Sequence, residues 1–168
     1  MSVQDKLLES CGASKQEIIE YADAIAEHLK FQPGDDLELL VNRLKGEIED
    51  MESDGSGQAC ITVNEDGSFI IRLFPFLFPL QRRLSIAHEL GHLFLHSRYG
   101  EIPIEAFHDA ENEDDLVEDE AHYFACAFLM PRKEFRKAAM LFGRDTVGIA
   151  AEFMVPEPIV RQMMQDVS

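Results

Sequence analysis

In this 168-residue chain, His88, Glu89 and His92 are the residues whose types and spacing could do chemistry by themselves. They form one H-E-x-x-H pattern, His88-Glu89-Leu90-Gly91-His92. On an α-helix, imidazoles four residues apart share a face and stand about 6 Å apart along the axis, so both can reach one cation. Zn²⁺ takes such nitrogens at about 2.0 to 2.1 Å. Glu89 follows the first histidine and points beside the metal, where a carboxylate polarises water without being a ligand. The chemistry on offer is metal-assisted hydrolysis. The competing reading is a core helix whose histidines are merely satisfied.

The element that must carry these residues argues for the metal. With His88 at zero and about 100° per residue, His92 falls near about 40°, Ser85 near about 60°, His96 near about 80° and Glu89 near about 100°. Leu84, Ile86, Ala87, Leu90, Gly91, Leu93, Phe94 and Leu95 take the remaining circumference, which describes a helix sunk in a core. Its polar arc must face a cleft, because an unpartnered buried polar group costs roughly 1 to 3 kcal/mol.

Two histidines leave a catalytic zinc short of a third protein ligand and an open position. His96 is excluded as that ligand on a straight helix, being about 12 Å along the axis from His88. The metzincin pattern also fails: Leu95 stands where its Gly belongs and Arg98 where its third His belongs. The next helical stretch, 116–130, offers Glu118, with His122 within about 40° on its wheel and Glu120 nearly opposite. Glu118 is the expected ligand. It has a local competitor role, since Asp115 with Glu118 three residues on is also a capping-box arrangement.

Two blocks now carry a resemblance. Arg83-Leu84-Ser85-Ile86-Ala87-His88-Glu89-Leu90-Gly91-His92-Leu93-Phe94-Leu95-His96 is followed by Glu118-Asp119-Glu120-Ala121-His122-Tyr123-Phe124-Ala125 and then Phe128-Leu129-Met130-Pro131. In this order they resemble the ImmA/IrrE family of zinc metallopeptidases. The resemblance implies zinc held by His88, His92 and Glu118, with Glu89 as catalytic acid/base. It further implies a bacterial or phage-derived cytosolic protease that cleaves helix-turn-helix repressors. The chain departs from the family at His122, where Asn or Asp is usual, which leaves its role open between orienting a ligand imidazole, contacting substrate or metal, and serving the oxyanion. Tyr99 and Tyr123 are further candidate oxyanion donors.

The rest of the chain must build the support. One α+β domain is expected, mostly helical, with a small antiparallel sheet beside a zincin-type active-site helix. Its parts are N-terminal helices over 1–53, a hairpin and metal-site core over 58–131, and C-terminal helices over 132–168. Ser14 to Phe31 reads as a helix opened by a Ser14/Glu17 capping box, and a second helix runs from Asp35 or Asp36 to about Met51. Ser53 to Gly57 reads as a loop. Gln58 to Asn64 and Ser68 to Phe74 form a hairpin around Asp66-Gly67, whose edge could accept an extended peptide. Pro75 to Pro79 is an apolar connector, and Tyr99 to about Asp115 is a loop. Helices are expected over Arg132 to Phe142, Thr146 to Met154 and Pro156 to Met164, the last two like a helix-turn-helix pair.

Bulk composition narrows the partners. With 15 basic and 32 acidic residues the formal charge is -17, which disfavours nucleic acid and anionic membranes. The second helix of the tail pair offers only Arg161 and carries Glu157, which argues against DNA reading. The acidic run from Asp109 to Glu120 is a solvated surface, or it draws basic segments towards the cation site. No signal peptide is visible at Met1 to Ser10, and the apolar stretch Ile70 to Leu80 falls short of the roughly 20 residues needed to span a bilayer. Cys11, Cys60 and Cys126 suit reduced thiols in a cytoplasmic protein. A zinc endopeptidase acting on a repressor or antitoxin is the leading expectation. A binding module that sequesters such a partner without cutting it, and a non-haem iron oxygenase that would leave Glu89 idle, are the alternatives.

Overall fold

A computed structural model of the chain describes residues 8–52, 60–107 and 115–167. The loop reading at Ser53 to Gly57, the start of the first hairpin strand and most of the acidic run lie outside those residues, as does Met1 to Leu7. The elements run α1 (Lys15–His28), α2 (Leu37–Arg43), β1 (Gly46–Asp50), β2 (Ile61–Val63), β3 (Phe69–Leu73), α3 (Pro79–Gly91), a π-helical turn (His92–His96), β4 (Ile104–Ala106), α4 (Asp115–Leu129), α5 (Arg132–Phe142), α6 (Thr146–Phe153) and α7 (Glu157–Val167). Helices dominate, and the α+β expectation holds.

Local chemistry explains where several elements begin and end. Ser14 accepts from the Glu17 N–H while Glu17 accepts from the Ser14 N–H at 2.7 Å, the reciprocal cap expected for α1. Asp36 caps α2 by accepting from the N–H groups of Glu38 and Leu39. The second helix is shorter than its periodicity suggested. Lys45 turns left-handed and 46–50 leave as a strand. Gly46 permits this, because a Cβ there would stand 2.3 Å from the Phe69 ring. Long-range pairing overrides the helical spacing of Ile48, which fits a strand's alternation equally well.

The sheet has the order β1-β3-β2-β4. It is mixed rather than wholly antiparallel: β1 runs parallel to β3, while β2 is antiparallel to both β3 and β4. The hairpin forms as read, with Asn64 N–H donating to Ser68 O and Gly67 at φ 86°. Its edges are not available, however. β1 covers β3 and β4 covers β2, so strand addition at the hairpin itself is ruled out, and the sheet's outer strands are β1 and β4. The β4 strand falls in the stretch read as a loop, being three residues long and visible only through its partner.

Helix α3 starts at Pro79, inside the stretch read as a connector, because proline's fixed φ suits a first helical turn. It packs against α4 and extends the core towards α1. Phe31, Phe128, Phe124 and Phe94 stack in sequence at centroid distances of 4.7, 5.7 and 5.5 Å. Arg132 pairs with Asp23 at 2.6 Å, tying the start of α5 to α1. Helices α6 and α7 follow the expected tail pair, and Arg161 pairs with Glu157 at 2.6 Å. Among the described residues no helix is long and apolar enough to cross a membrane.

Candidate metal centre

Gly91 sets the spacing on which the site depends. A Cβ on it would lie 2.8 Å from the backbone oxygen and 3.0 Å from the Cα of Ala121, so α3 and α4 approach at backbone distance there. One turn before Ala121 on α4 stands Glu118, which that approach delivers to the two histidines. His88 Nε2 is 2.8 Å from Glu118 Oε2, and His92 Nε2 is 3.2 Å from Glu118 Oε1. Two ligands about 2.0 to 2.1 Å from a tetrahedral ion stand roughly 3.3 Å apart, so these separations suit one cation. One donor atom from each of His88, His92 and Glu118 lies within 4.8 Å of the others. Two imidazoles and a carboxylate form a donor set that fits Zn²⁺. Asp115 is inside α4 rather than preceding it, and the Glu118 carboxylate is turned to the imidazoles.

Glu89 is buried and lines a cleft of about 270 Å³ together with His88, Glu118 and His122. The cleft also has an apolar lining from Leu73, Phe74, Leu77 and Leu84. Of the three candidate oxyanion donors only His122 borders this cleft. Its Nε2 faces Gln162 Oε1 of α7 at 3.1 Å and Cys126 Sγ at 3.5 Å, so its contacts lead away from the ligand imidazoles. Burial pushes the Cys126 thiol up to about 12, which keeps it protonated. Tyr99 instead stacks on Phe94 at 5.2 Å. Tyr123 lies under the Lys15 ammonium at 4.8 Å.

Sequence reasoning missed what stands behind His92. The backbone widens into a π turn, closed by Ser97 N–H donating to His92 O at 3.0 Å. Such turns occur often at functional sites. His96 meets His92 there, with Nδ1 to Nδ1 at 3.0 Å, on the ring edge away from Glu118. Its Nε2 lies 3.1 Å from Glu120 Oε1. Burial first, then the neighbouring His92, pushes His96 below its ordinary pKa and favours the neutral ring. Burial would raise the Glu120 carboxyl, but hydrogen bonds from His96, then Cys11 and Ser10, outweigh it and lower it. The signal in the sequence was a third histidine in the polar arc one turn after His92; its exclusion as a ligand agrees with the group formed by His88, His92 and Glu118, but its place behind His92 was not drawn from the spacing.

Comparison with known proteins agrees with this geometry. The IrrE N-terminal-like domain of Peptidase_M78 matches residues 39–165, and the chain belongs to that family. Among solved structures it is similar to a Mycobacterium tuberculosis transcriptional regulator, with a TM-score of 0.60 and 23% identity over 86% of this chain and 45% of that one. The likeness is one of fold, and this chain spans less than half of that protein's length. No curated protein matches the chain.

Proposed function

We propose that this protein is a zinc-dependent endopeptidase of the ImmA/IrrE type that hydrolyses a peptide bond in a protein substrate, a helix-turn-helix repressor or an antitoxin. The observation that carries the reading is the convergence of His88, His92 and Glu118 at the edge of an open cleft that Glu89 also lines. His88, His92 and Glu118 would hold the ion. When bound, Zn²⁺ supplies a Lewis acid and a water whose pKa is lowered towards about 7.

The chain's own residues do the rest. Glu89 takes the proton of the attacking water, keeps it in a buried site, and returns it to the leaving amine. The apolar wall of Leu73, Phe74, Leu77 and Leu84 excludes water and receives a hydrophobic substrate side chain. Phe76 and Phe78, 97% and 74% exposed, lie on the segment leading into α3 that also supplies Phe74 and Leu77 to the cleft, and suit a protein-sized substrate. His122 is the candidate oxyanion donor. With its Nε2 proton given to Gln162, Nδ1 can donate only in the imidazolium form. The net charge of -17 supports a protein rather than a nucleic-acid partner. Three free cysteines support a cytoplasmic setting.

Co-expression with repressors or antitoxins encoded beside this chain tests the reading. A cleavage fragment that appears with the wild type and disappears with Glu89→Gln is the expected result. A partner that binds both forms and stays whole would replace the peptidase with a sequestering module. Stoichiometric iron instead of zinc in the purified protein would favour oxygenase chemistry.

A further inference from the structure

The hydrogen bonds behind His92 have a direction. An ionised carboxylate only accepts. Glu120 accepts at Oε2 from Ser10 Oγ at 2.8 Å and Cys11 Sγ at 3.1 Å, and at Oε1 from the Cys11 N–H at 3.2 Å. The fourth contact, His96 Nε2 at 3.1 Å from Oε1, is therefore also a donor. A neutral imidazole that donates from Nε2 accepts at Nδ1. His92 must then donate from Nδ1 across the 3.0 Å contact. That leaves the lone pair of His92 on Nε2, the nitrogen 3.2 Å from Glu118.

We propose that His96 and Glu120 are positioning residues of the metal centre: the relay Glu120–His96–His92 fixes the tautomer and ring plane of His92, and the Ser10–Cys11 segment clamps its far end. This rests on the metal-centre reading above and extends it to residues that touch no ligand of the ion except His92. Both rings are buried on the π turn, with centroids 5.0 Å apart and Nδ1 facing Nδ1. Helix α4 serves the ion from two sides. Glu118 and Glu120, two residues apart, reach the front and the back of one imidazole system.

A carboxylate behind a ligand imidazole raises its basicity and spares it the entropy of choosing an orientation, and loss of such a partner typically costs about 10- to 100-fold in metal affinity. A merely structural cluster would instead change the stability of the metal-free protein and leave affinity alone. The test titrates the metal-free full-length chain with Co²⁺, read by visible absorption, and with Zn²⁺ against a competing chelator. Wild type binds one equivalent. His96→Leu fills the space without an acceptor and lowers affinity about 10- to 100-fold. His96→Gln, whose amide oxygen accepts from His92 Nδ1–H, recovers most of that loss. Glu120→Gln, which keeps shape and removes charge, falls between wild type and His96→Leu.

Long-range ¹H–¹⁵N spectra of the metal-free protein give a second readout. They show His92 Nε2 unprotonated in wild type and a tautomer mixture in His96→Leu. Should His96→Leu fail to fold, His96→Gln and Glu120→Gln carry the test through the same two readouts. Affinities within twofold of wild type, with His92 in an unchanged tautomer, overturn the relay while leaving the metal centre intact. A folded wild type that binds neither ion overturns the metal centre itself.

Discussion

The two imidazoles of the candidate metal centre live in opposite surroundings. His92 is fully buried, and its ring is held from behind by His96 and Glu120. His88 is about one-fifth exposed and borders the cleft beside Glu118, with Glu89 and His122 also on its wall. One side is anchored and the other is open to a reactant. The difference teaches that a reactive site needs both: a rigid half whose groups are satisfied by each other, and a half whose groups are left facing a substrate. The close approach at Gly91 and Ala121 joins the two.

The contrast is broken most severely from the open side. Glu89→Gln is expected to lower peptide hydrolysis about 10²- to 10⁴-fold while metal affinity stays near wild type, measured by turnover and by Zn²⁺ titration in parallel. Equal losses in both would mean that Glu89 belongs to the anchored half. Removing the metal acts on both halves at once. At free Zn²⁺ of 100 times Kd the holoprotein gains about 2.7 kcal/mol over the apoprotein, read as a fall in Tm on chelation that zinc restores.

Gly91→Ala tests the seam. Its Cβ would press on the Ala121 backbone, not on a flexible side chain, so a destabilisation of roughly 1 to 3 kcal/mol and a weaker metal site are expected together in denaturant unfolding and titration. Stability lost with affinity kept would show that α3 and α4 need not approach so closely to hold the ion. The smallest effect belongs far from the site, at Glu157. Hydrogen bonds from Thr146, then Arg161, hold its carboxyl below the ordinary range. A depressed folded value means that its contribution is complete above the unfolded pKa and disappears as pH falls through the folded one. The Tm gap between wild type and Glu157→Gln should accordingly be small at pH 7 and close in acid, with no change in metal affinity.

How much of this could be read along the chain differs between the halves. The grouping of His88, His92 and Glu118 was legible because sharing one cation would impose spacing on one helix and one small arc on the next. The α1 cap, the Asp66-Gly67 turn and the tail helices were legible too, since each is set by residues within a few positions of one another. The β1 and β4 strands were not, being short and defined by partners distant in sequence. The relay was not, because Glu120 points away from Glu118 on its own wheel. Its use for the back of the site depends on where α4 passes.

By itself the order of amino acids determined that one helix would be buried with a polar arc of two imidazoles and a carboxylate spaced for a metal, because periodicity and hydrophobicity act locally. Only the tertiary structure decided that the other acid of α4, Glu120, meets His96 behind His92. The same holds for the covered hairpin edges and for His96 as a neighbour rather than a bystander. Those outcomes depend on where α4 passes behind His92, on the missing side chain at Gly91 and on pairing across long stretches of chain, none of which a one-dimensional pattern encodes.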